Sequence, residues 1–391
     1  MKVLMIAPTP FFSDRGAHVQ IYEEIRALSK LDVEVHVCTY GLGRNIEGIR
    51  ASRIFNFPWY RKVSAGPSLT KIIYIPMLFL HSLVMSYVFK PEIIHAHLPD
   101  GAVIARLIKL IRPKLAYVYD VQGSLSEESI QHGFFHRDSL IHKFFRFLEK
   151  KTLNWFENIT QSNTVMAYSQ KLAGENILIT NVMDGVDTEI FAPNHSDTSL
   201  AKSLGILESE INLIYVGALE EYQGVDLLLK AFSLLNLRHH NLKLIIIGFP
   251  NIPKYRAQAV ELNISEKVIF LGKVDYFQLP KYLCLGDIAI APKISTTEGD
   301  GKIYNYLACG LPVVAFEREV AREIAGETAL YAKFLDYADL ASKIEMLISD
   351  NEFRIALGSK GRFRAESLLS WNAVGERIYY IYLNLLEKRD K

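Results

Sequence analysis

Between Thr297 and Phe316 the chain reads TEGDGKIYNYLACGLPVVAF. Gly299-Asp300-Gly301 predicts a sharp turn whose backbone can come close to a ligand. From Lys302 to Cys309, Ile303, Tyr306 and Leu307 fall on one face at helical spacing. Gly310 is placed to stop that helix in a left-handed conformation, and Pro312 prevents its continuation. Val313 to Phe316 is apolar at every position, the pattern of a parallel strand buried on both faces. A glycine loop feeding a helix start is an anion site, because unpaired N–H groups and the helix dipole point the same way. Lys302 adds a full positive charge in the first turn, where the dipole disfavours a cation. An ordinary loop–helix–strand unit has no need of an acid, a glycine pair and a misplaced lysine together.

The chain has 391 residues, enough for two domains with substantial cores. A formal net charge of +1 gives nucleic-acid binding no electrostatic support. Cys38, Cys284 and Cys309 are far apart and follow no metal spacing, so they read as reduced thiols of a cytoplasmic protein. Met1 to Ala7 is too short for a signal-peptide core and reads as a first strand. Ile72 to Phe89 has about the minimum spanning length, but Pro76, His81, Ser82 and Ser86 interrupt it, so a buried or surface-lying helix is expected.

Lys2–Ala7, a loop through Pro8 and Ser13-Asp14-Arg15-Gly16, a helix over Ala17–Lys30 and a strand over Val33–Thr39 make a Rossmann-like opening. A full G-x-G-x-x-G is lacking, so dinucleotide binding is not indicated. Gly16 at the helix start is a candidate phosphate contact as well as a turn glycine. Further strands are predicted at Glu92–His97, Leu115–Asp120, Val165–Ser169 and Leu178–Val182, alternating with helices in a doubly wound parallel sheet. Ligands bind at the carboxyl ends of such strands. His95 and His97 lie at one such end on the same strand face, with no acidic partner expected nearby, which is poor support for a metal. Asp120 and Gln122 end the next strand and are candidates to meet an acceptor hydroxyl. A second sheet opens at Ile211–Gly217, with strands at Leu242–Gly248, Val268–Val274, Asp287–Pro292 and Val313–Phe316. Trp371 to Lys388 forms an amphipathic helix with Val374, Ile378, Ile381, Tyr382 and Leu385 in a stripe.

Ala308-Cys309-Gly310-Leu311-Pro312-Val313 matches the Ala-x-Gly-x-Pro-Val signature of a known family, and Gly185-Val186-Asp187 followed by Phe191-Ala192-Pro193 matches its inter-domain hinge. On these motifs the chain resembles the retaining, nucleotide-sugar-dependent glycosyltransferases of the GT-B fold, family GT4. The resemblance runs from Met1 to about Leu386. It implies two Rossmann-like α/β domains facing across a cleft: residues 1–190 plus 371–391 on the acceptor side, and residues 195–370 on the donor side. The family's two acids before the signature fall on Thr297, with Glu298 next door, and on Asn305. Its Gly-Arg-Leu and Lys-Gly, whose basic residues neutralise the donor diphosphate, are here Gly217-Ala218-Leu219 and Gln223-Gly224. Losing an arginine fork opposite two phosphates is a serious departure. Lys302 is the nearest cationic substitute by motif position.

The resemblance implies further roles: His97 beside the donor sugar, Glu298 on the sugar hydroxyls and Asn305 at the ribose. The backbone of Lys273 and Val274 would meet the base, and Gly16, Gly217, Gln223, Gly299 and Gly301 would lie around the diphosphate. Transfer then proceeds with retention, with the leaving phosphate as base, without a metal or other cofactor. The expected partners are a nucleotide-diphosphate sugar and a glycan or lipid-linked acceptor. The rival readings are a sensor or scaffold that kept the fold without turnover, favoured by Ala218, Gln223 and Asn305, and a GT-B epimerase, opposed by the Ala-x-Gly-x-Pro-Val arrangement. A helix over Asp138–Trp155 places Ile141, Phe144, Phe145, Leu148 and Trp155 on one stripe, with Lys143, Arg146, Lys150 and Lys151 on other faces. It predicts peripheral contact with an anionic membrane at its inner face, or else an ordinary helix with a solvated basic side.

Overall fold

Val3 to Ala7 carry no polar side chain and are fully buried, the state of a strand covered on both faces. In the computed structural model, which describes residues 1–13, 16–58, 71–131, 134–193, 197–295 and 299–390, they lie in β1 (Lys2–Ala7). After it come α1 (Gly16–Ser29), β2 (Glu34–Thr39), β3 (Ala51–Arg53), α2 (Lys71–Val88), β4 (Ile93–His97), α3 (Leu98–Ile111) and β5 (Ala116–Val121). The chain continues through α4 (Leu125–Gln131), α5 (Leu140–Leu153), β6 (Glu157–Thr160), α6 (Asn163–Ala173) and β7 (Ile179–Asn181). These strands form one parallel sheet in the order β3-β2-β1-β4-β5-β6-β7.

A second parallel sheet follows, in the order β10-β9-β8-β11-β12-β13. Its elements begin with α7 (Thr198–Ser203), β8 (Ile211–Val216), α8 (Val225–Asn236), β9 (Leu242–Ile247), α9 (Ile252–Glu261), β10 (Val268–Gly272) and α10 (Leu279–Leu283). They end with β11 (Ile288–Ala291), α11 (Gly301–Ala308), β12 (Val313–Phe316), α12 (Glu319–Ala325), β13 (Ala329–Ala332), α13 (Tyr337–Ser349) and α14 (Asn351–Leu368). The last helix, α15 (Trp371–Asp390), belongs with the first sheet. The compact units are Met1–Gly185 with Trp371–Lys391, and Val186–Ser370.

Both strand orders reverse at an interior pair, β1/β4 in the first unit and β8/β11 in the second. At such a switch point the loops leaving the two strands diverge and open a crevice at their carboxyl ends. In the first unit those ends carry the approach to Gly16 and His97. In the second they carry Gly217–Gln223 and the segment leading to Lys302. In the first unit, Ile94, Ala96, Tyr119 and Val121 share a core with Tyr74 of α2, Ala105 of α3, Leu153 of α5 and Leu172 of α6. His95, His97 and Asp120 alternate with those strand residues, so they lie on the opposite sheet face, where α1 and α15 pack on one another.

Two expectations need correction. Val165–Ser169 is not a strand but the body of α6; the Ser162 side chain accepts from the Val165 N–H and caps that helix. The strand is Glu157–Thr160, one element earlier. A short run of mixed apolar residues suits either state, and the cap decides it. The alternative of an ordinary helix with only a solvated basic side does not hold for α5: its buried residues are His142, Glu149, Thr152 and Leu153, while Ile141 and Phe144 are exposed. The three-residue edge strand β3 carries no hydrophobic pattern and was not foreseen. Ile72–Phe89 is a surface-lying helix, α2. Asp14, Arg15, Asn194, Thr297 and Glu298 from the sequence reading lie outside the described residues.

Candidate active site

In the second unit the crevice is built around Asp300, which precedes α11. The Asp300 carboxylate is fully buried and takes Lys302 Nζ on Oδ1 at 2.7 Å and the Arg318 guanidinium on Oδ2. Lys302 Nζ also donates to Gln223 Oε1 at 2.8 Å. Lys293 Nζ donates to the Gly299 carbonyl at 2.6 Å, and Arg318 Nη1 to the Ser295 carbonyl at 2.7 Å. Burial by itself pushes Asp300 up, but Lys302, Arg318 and Lys293 together hold it below the ordinary carboxylate value. Burial lowers Lys302, against the opposing pull of Asp300. Among the described residues, Lys302 and Arg318 both pair with the one carboxylate of Asp300, two cations on a single acid at the start of α11.

The glycines around this group have identifiable reasons. A Cβ on Gly217 would lie 2.7 Å from Tyr215 Oη and 3.1 Å from Lys302 Cε, so this glycine makes room for the lysine. Gly224, left-handed at φ +69°, would put a Cβ 1.9 Å from the Pro292 carbonyl oxygen; its closeness to that strand end brings Gln223 to Lys302. Gly299 and Gly301 differ from expectation. Neither has a positive φ, and a Cβ on either would meet no atom of the described residues within 4 Å, so the described part of the turn does not require them. The N–H groups of Gly301 and Lys302 open α11 without an intrahelical acceptor. Asn305 is half-buried in the same helix. Lys273 is exposed just after β10, its Nζ 5.8 Å from the Phe249 ring centroid, and Val274 is half-buried beside it.

In the first unit, parallel pairing sets His97 of β4 directly against Asp120 of β5. His97 Nδ1 lies 3.0 Å from Asp120 Oδ2, which also accepts from Gln122 Nε2 at 2.9 Å and Gln20 Nε2 at 3.2 Å. A carboxylate oxygen only accepts, so the neutral His97 ring carries its proton on Nδ1 and leaves Nε2 as an acceptor. His97 Nε2 is buried with no partner. Leu98, left-handed at φ +64°, turns β4 straight into α3 with no intervening loop. His95 stacks on His97 with ring centroids 4.2 Å apart. Its Nδ1 is 2.7 Å from Tyr382 Oη and 3.1 Å from Glu24 Oε1. The two histidines thus have acidic neighbours, contrary to the reading from local sequence, because α1 and β5 bring Glu24 and Asp120 to them. Donor atoms of Glu24, His95, His97 and Asp120 all lie within 4.8 Å of one another, close enough to hold a metal ion.

Burial pushes Glu24 up to about 8, with His97 lowering it and Asp120 raising it, and burial lowers His95 to about 4. At neutral pH both are therefore uncharged. A raised carboxyl favours the folded state fully below its unfolded value of about 4.5 and loses that contribution as pH rises through 8. The depressed His95 acts oppositely: its contribution is present above 6.5 and lost as pH falls through 4. A Glu24→Gln variant is expected to show a flatter melting temperature between pH 5 and 9 than the wild type. Thermal scans across that range check it; parallel curves would remove Glu24 as the titrating group.

Glu24, Tyr382, Asp300, Lys293 and Arg318 were missed as site residues. Glu24 had a signal, since it sits among Ile21, Ile25 and Leu28 on the inner face of α1, where an unpaired acid is costly. Lys293 and Arg318 had none, because their meeting with Asp300 depends on three separate strand ends.

Two family models match the chain: "Glycosyltransferase Family 4" over residues 15–202 and "Glycosyl transferases group 1" over residues 196–364. A GDP-mannose-dependent monoacylated alpha-(1-6)-phosphatidylinositol monomannoside mannosyltransferase of Corynebacterium glutamicum is 27% identical over 52% of this chain and 56% of its own length. The chain thus spans little more than half the length of that curated relative. The capsular polysaccharide biosynthesis glycosyltransferase CapM of Staphylococcus aureus is 21% identical over 94% of both chains. Among solved structures, sucrose-phosphate synthase from Thermosynechococcus elongatus superposes with a TM-score of 0.81 at 18% identity, covering 99% of both chains. Anabaena HepE in complex with UDP-glucose does so with 0.79 at 17% identity, over 98% of this chain and 100% of that one. With family matches that together run from residue 15 to residue 364 and a fold shared end to end, the chain belongs to the family 4 (group 1) glycosyltransferases of the GT-B fold.

Proposed function

We propose that this protein transfers a sugar, with retention and without a metal, from a nucleotide-diphosphate sugar to a hydroxyl of a glycan or lipid-linked acceptor in the cytoplasm. The observation that carries the reading is the pairing of two buried cations, Lys302 and Arg318, with the single carboxylate of Asp300 at the start of α11. Glycosyl transfer separates charge: the sugar approaches an oxocarbenium ion while the diphosphate leaves with growing negative charge. Catalysis is then mostly positioning and stabilisation of the leaving group. Lys302 uses two of its three N–H donors on Gln223 and Asp300, leaving one for a phosphate oxygen. The N–H groups of Gly301 and Lys302 add to it, and Gly16, Gly217 and Gly299 let the diphosphate approach. Glu298 holds the sugar hydroxyls, Asn305 the ribose, and the backbone of Lys273 and Val274 the base. His97 lines the other side of the sugar, and Asp120 and Gln122 stand toward the acceptor.

The reading without a metal rests on how the first-unit cluster is used. His97 Nδ1 is engaged by Asp120, and His95 Nδ1 by Tyr382, so a cation held by those two nitrogens would displace these bonds. Curated and structural relatives carry GDP-mannose and UDP-glucose in their names, so a donor panel should include both bases. Incubating the purified protein with such a panel, with and without EDTA, is expected to give transfer from one donor, unchanged by the chelator. Loss of transfer with EDTA would overturn the metal-free reading. A second reading, a nucleotide-sugar sensor, is favoured by Ala218 and Gln223 where basic residues are expected. It predicts binding of a donor with no transfer to any acceptor.

A further inference from the structure

We propose that the outer face of α2, α3 and α5 seats in the interfacial zone of an anionic lipid bilayer. The carrying observation is that α2 is apolar on its outer side as well as its inner one, and that α5 is inside out. On α2 the buried positions are Tyr74, Leu78, Ser82 and Ser86. Its outward positions are Ile72, Ile73, Leu80, Val84, Tyr87 and Val88, all exposed, with Leu80 at 60% and Val84 at 58%. On α5 the buried residues include His142, Glu149 and Thr152, and Glu149 takes hydrogen bonds from Ser126 and Tyr168. Leu140, Ile141, Phe144 and Phe147 of α5 point outward, Leu140 being 85% exposed. On α3, packed between them, Leu107, Leu110 and Ile111 are exposed. A helix facing water carries its apolar stripe inward and polar residues outward; here α2, α3 and α5 all turn large apolar residues outward, and an apolar patch of this kind marks a surface that is covered.

Charge complementarity commits the face to lipid. Lys143, Arg146, Lys150 and Lys151 of α5 are exposed. The acids of the three helices are Asp100, ion-paired with Lys71 at 2.6 Å, and Glu149, buried. Among the described residues of these three helices no acid is exposed, and a basic and apolar face of this kind fits anionic headgroups above acyl chains. The α2 helix is long and apolar enough to cross a membrane, but its inner side is bonded into the domain. Tyr74 Oη donates to Asn56 Oδ1 at 3.0 Å, His81 pairs with Ser52 at 2.7 Å, and Arg112 donates to the Ser86 carbonyl at 3.0 Å. It therefore lies on the bilayer and does not span it. The inference is independent of sugar transfer; combined with it, the acceptor would be an amphiphile held at the same surface.

The test is sedimentation of the full chain with vesicles of phosphatidylcholine, with and without phosphatidylglycerol. Wild type is expected to pellet with the anionic vesicles. The Lys143→Ala/Arg146→Ala/Lys150→Ala/Lys151→Ala variant should bind them up to several hundred-fold more weakly, and Leu80→Glu/Val84→Glu should lose binding. A Val84→Trp variant, read as a difference spectrum against wild type, should show blue-shifted emission on anionic vesicles. Pelleting equal for all variants, no pelleting of wild type, or unshifted Val84→Trp emission each overturn the proposal. So does a wild-type dimer that Leu80→Glu/Val84→Glu converts to monomer, which would make the face an interface between copies.

Discussion

Lys302→Ala is expected to lower kcat by roughly a hundred- to a thousand-fold, the usual cost of removing one preorganised contact to developing charge, about 2.7–4 kcal/mol. Asp300 already compensates the charge of Lys302 against the α11 dipole within the protein. Two cations, Lys302 and Arg318, share that one carboxylate, and a buried excess of charge is costly until an anion arrives. The charge on the leaving diphosphate grows toward the transition state, so the loss should fall on kcat more than on donor affinity. Lys302→Arg should not rescue, since the space over the lysine stem is bounded by Tyr215 and by the bare Cα of Gly217. Steady-state kinetics with the donor found in the panel, beside a thermal scan for folding, make the measurement. Wild-type turnover in Lys302→Ala would refute the role.

The second large effect concerns His97. Asp120 holds its proton on Nδ1, which leaves His97 Nε2 as an acceptor without a partner among the described residues. His97→Ala is expected to reduce turnover by about 10²-fold or more while the fold is kept. Asp120→Asn replaces an acceptor-only group by one that can also donate, so the tautomer is no longer set; its loss should approach that of His97→Ala. If Asp120 acts through His97, the double variant is no worse than His97→Ala alone. Simple additivity of the two losses would show that Asp120 has a separate role, such as direct contact with the acceptor.

The residues that local rules could find were those whose function shows in their own neighbourhood. Gly310 adopts the left-handed φ of +70° that its place before Pro312 implied. His95 and His97 share a strand face because side chains alternate with a period of two. Gln223 and Lys302 were each marked by motif position, yet their 2.8 Å hydrogen bond was not legible, since they stand 79 residues apart. The α5 stripe shows the converse failure. Periodicity found the apolar side correctly but could not say which way it faces, because Glu149 finds Ser126 and Tyr168 inside and makes the polar face the buried one.

By itself the sequence determined the two parallel sheets, since continuous apolar strands such as Val3–Ala7 and Val313–Phe316 can be satisfied only when covered on both faces. It also determined the family, through a signature whose glycine and proline have backbone jobs. Only the tertiary structure decided the electrostatics. Whether Lys302 is a lone charge or one of three around Asp300, and whether His95 has an acid beside it, depends on which strand ends meet. Coulomb energies depend on distance and burial, and neither is a property of position along the chain.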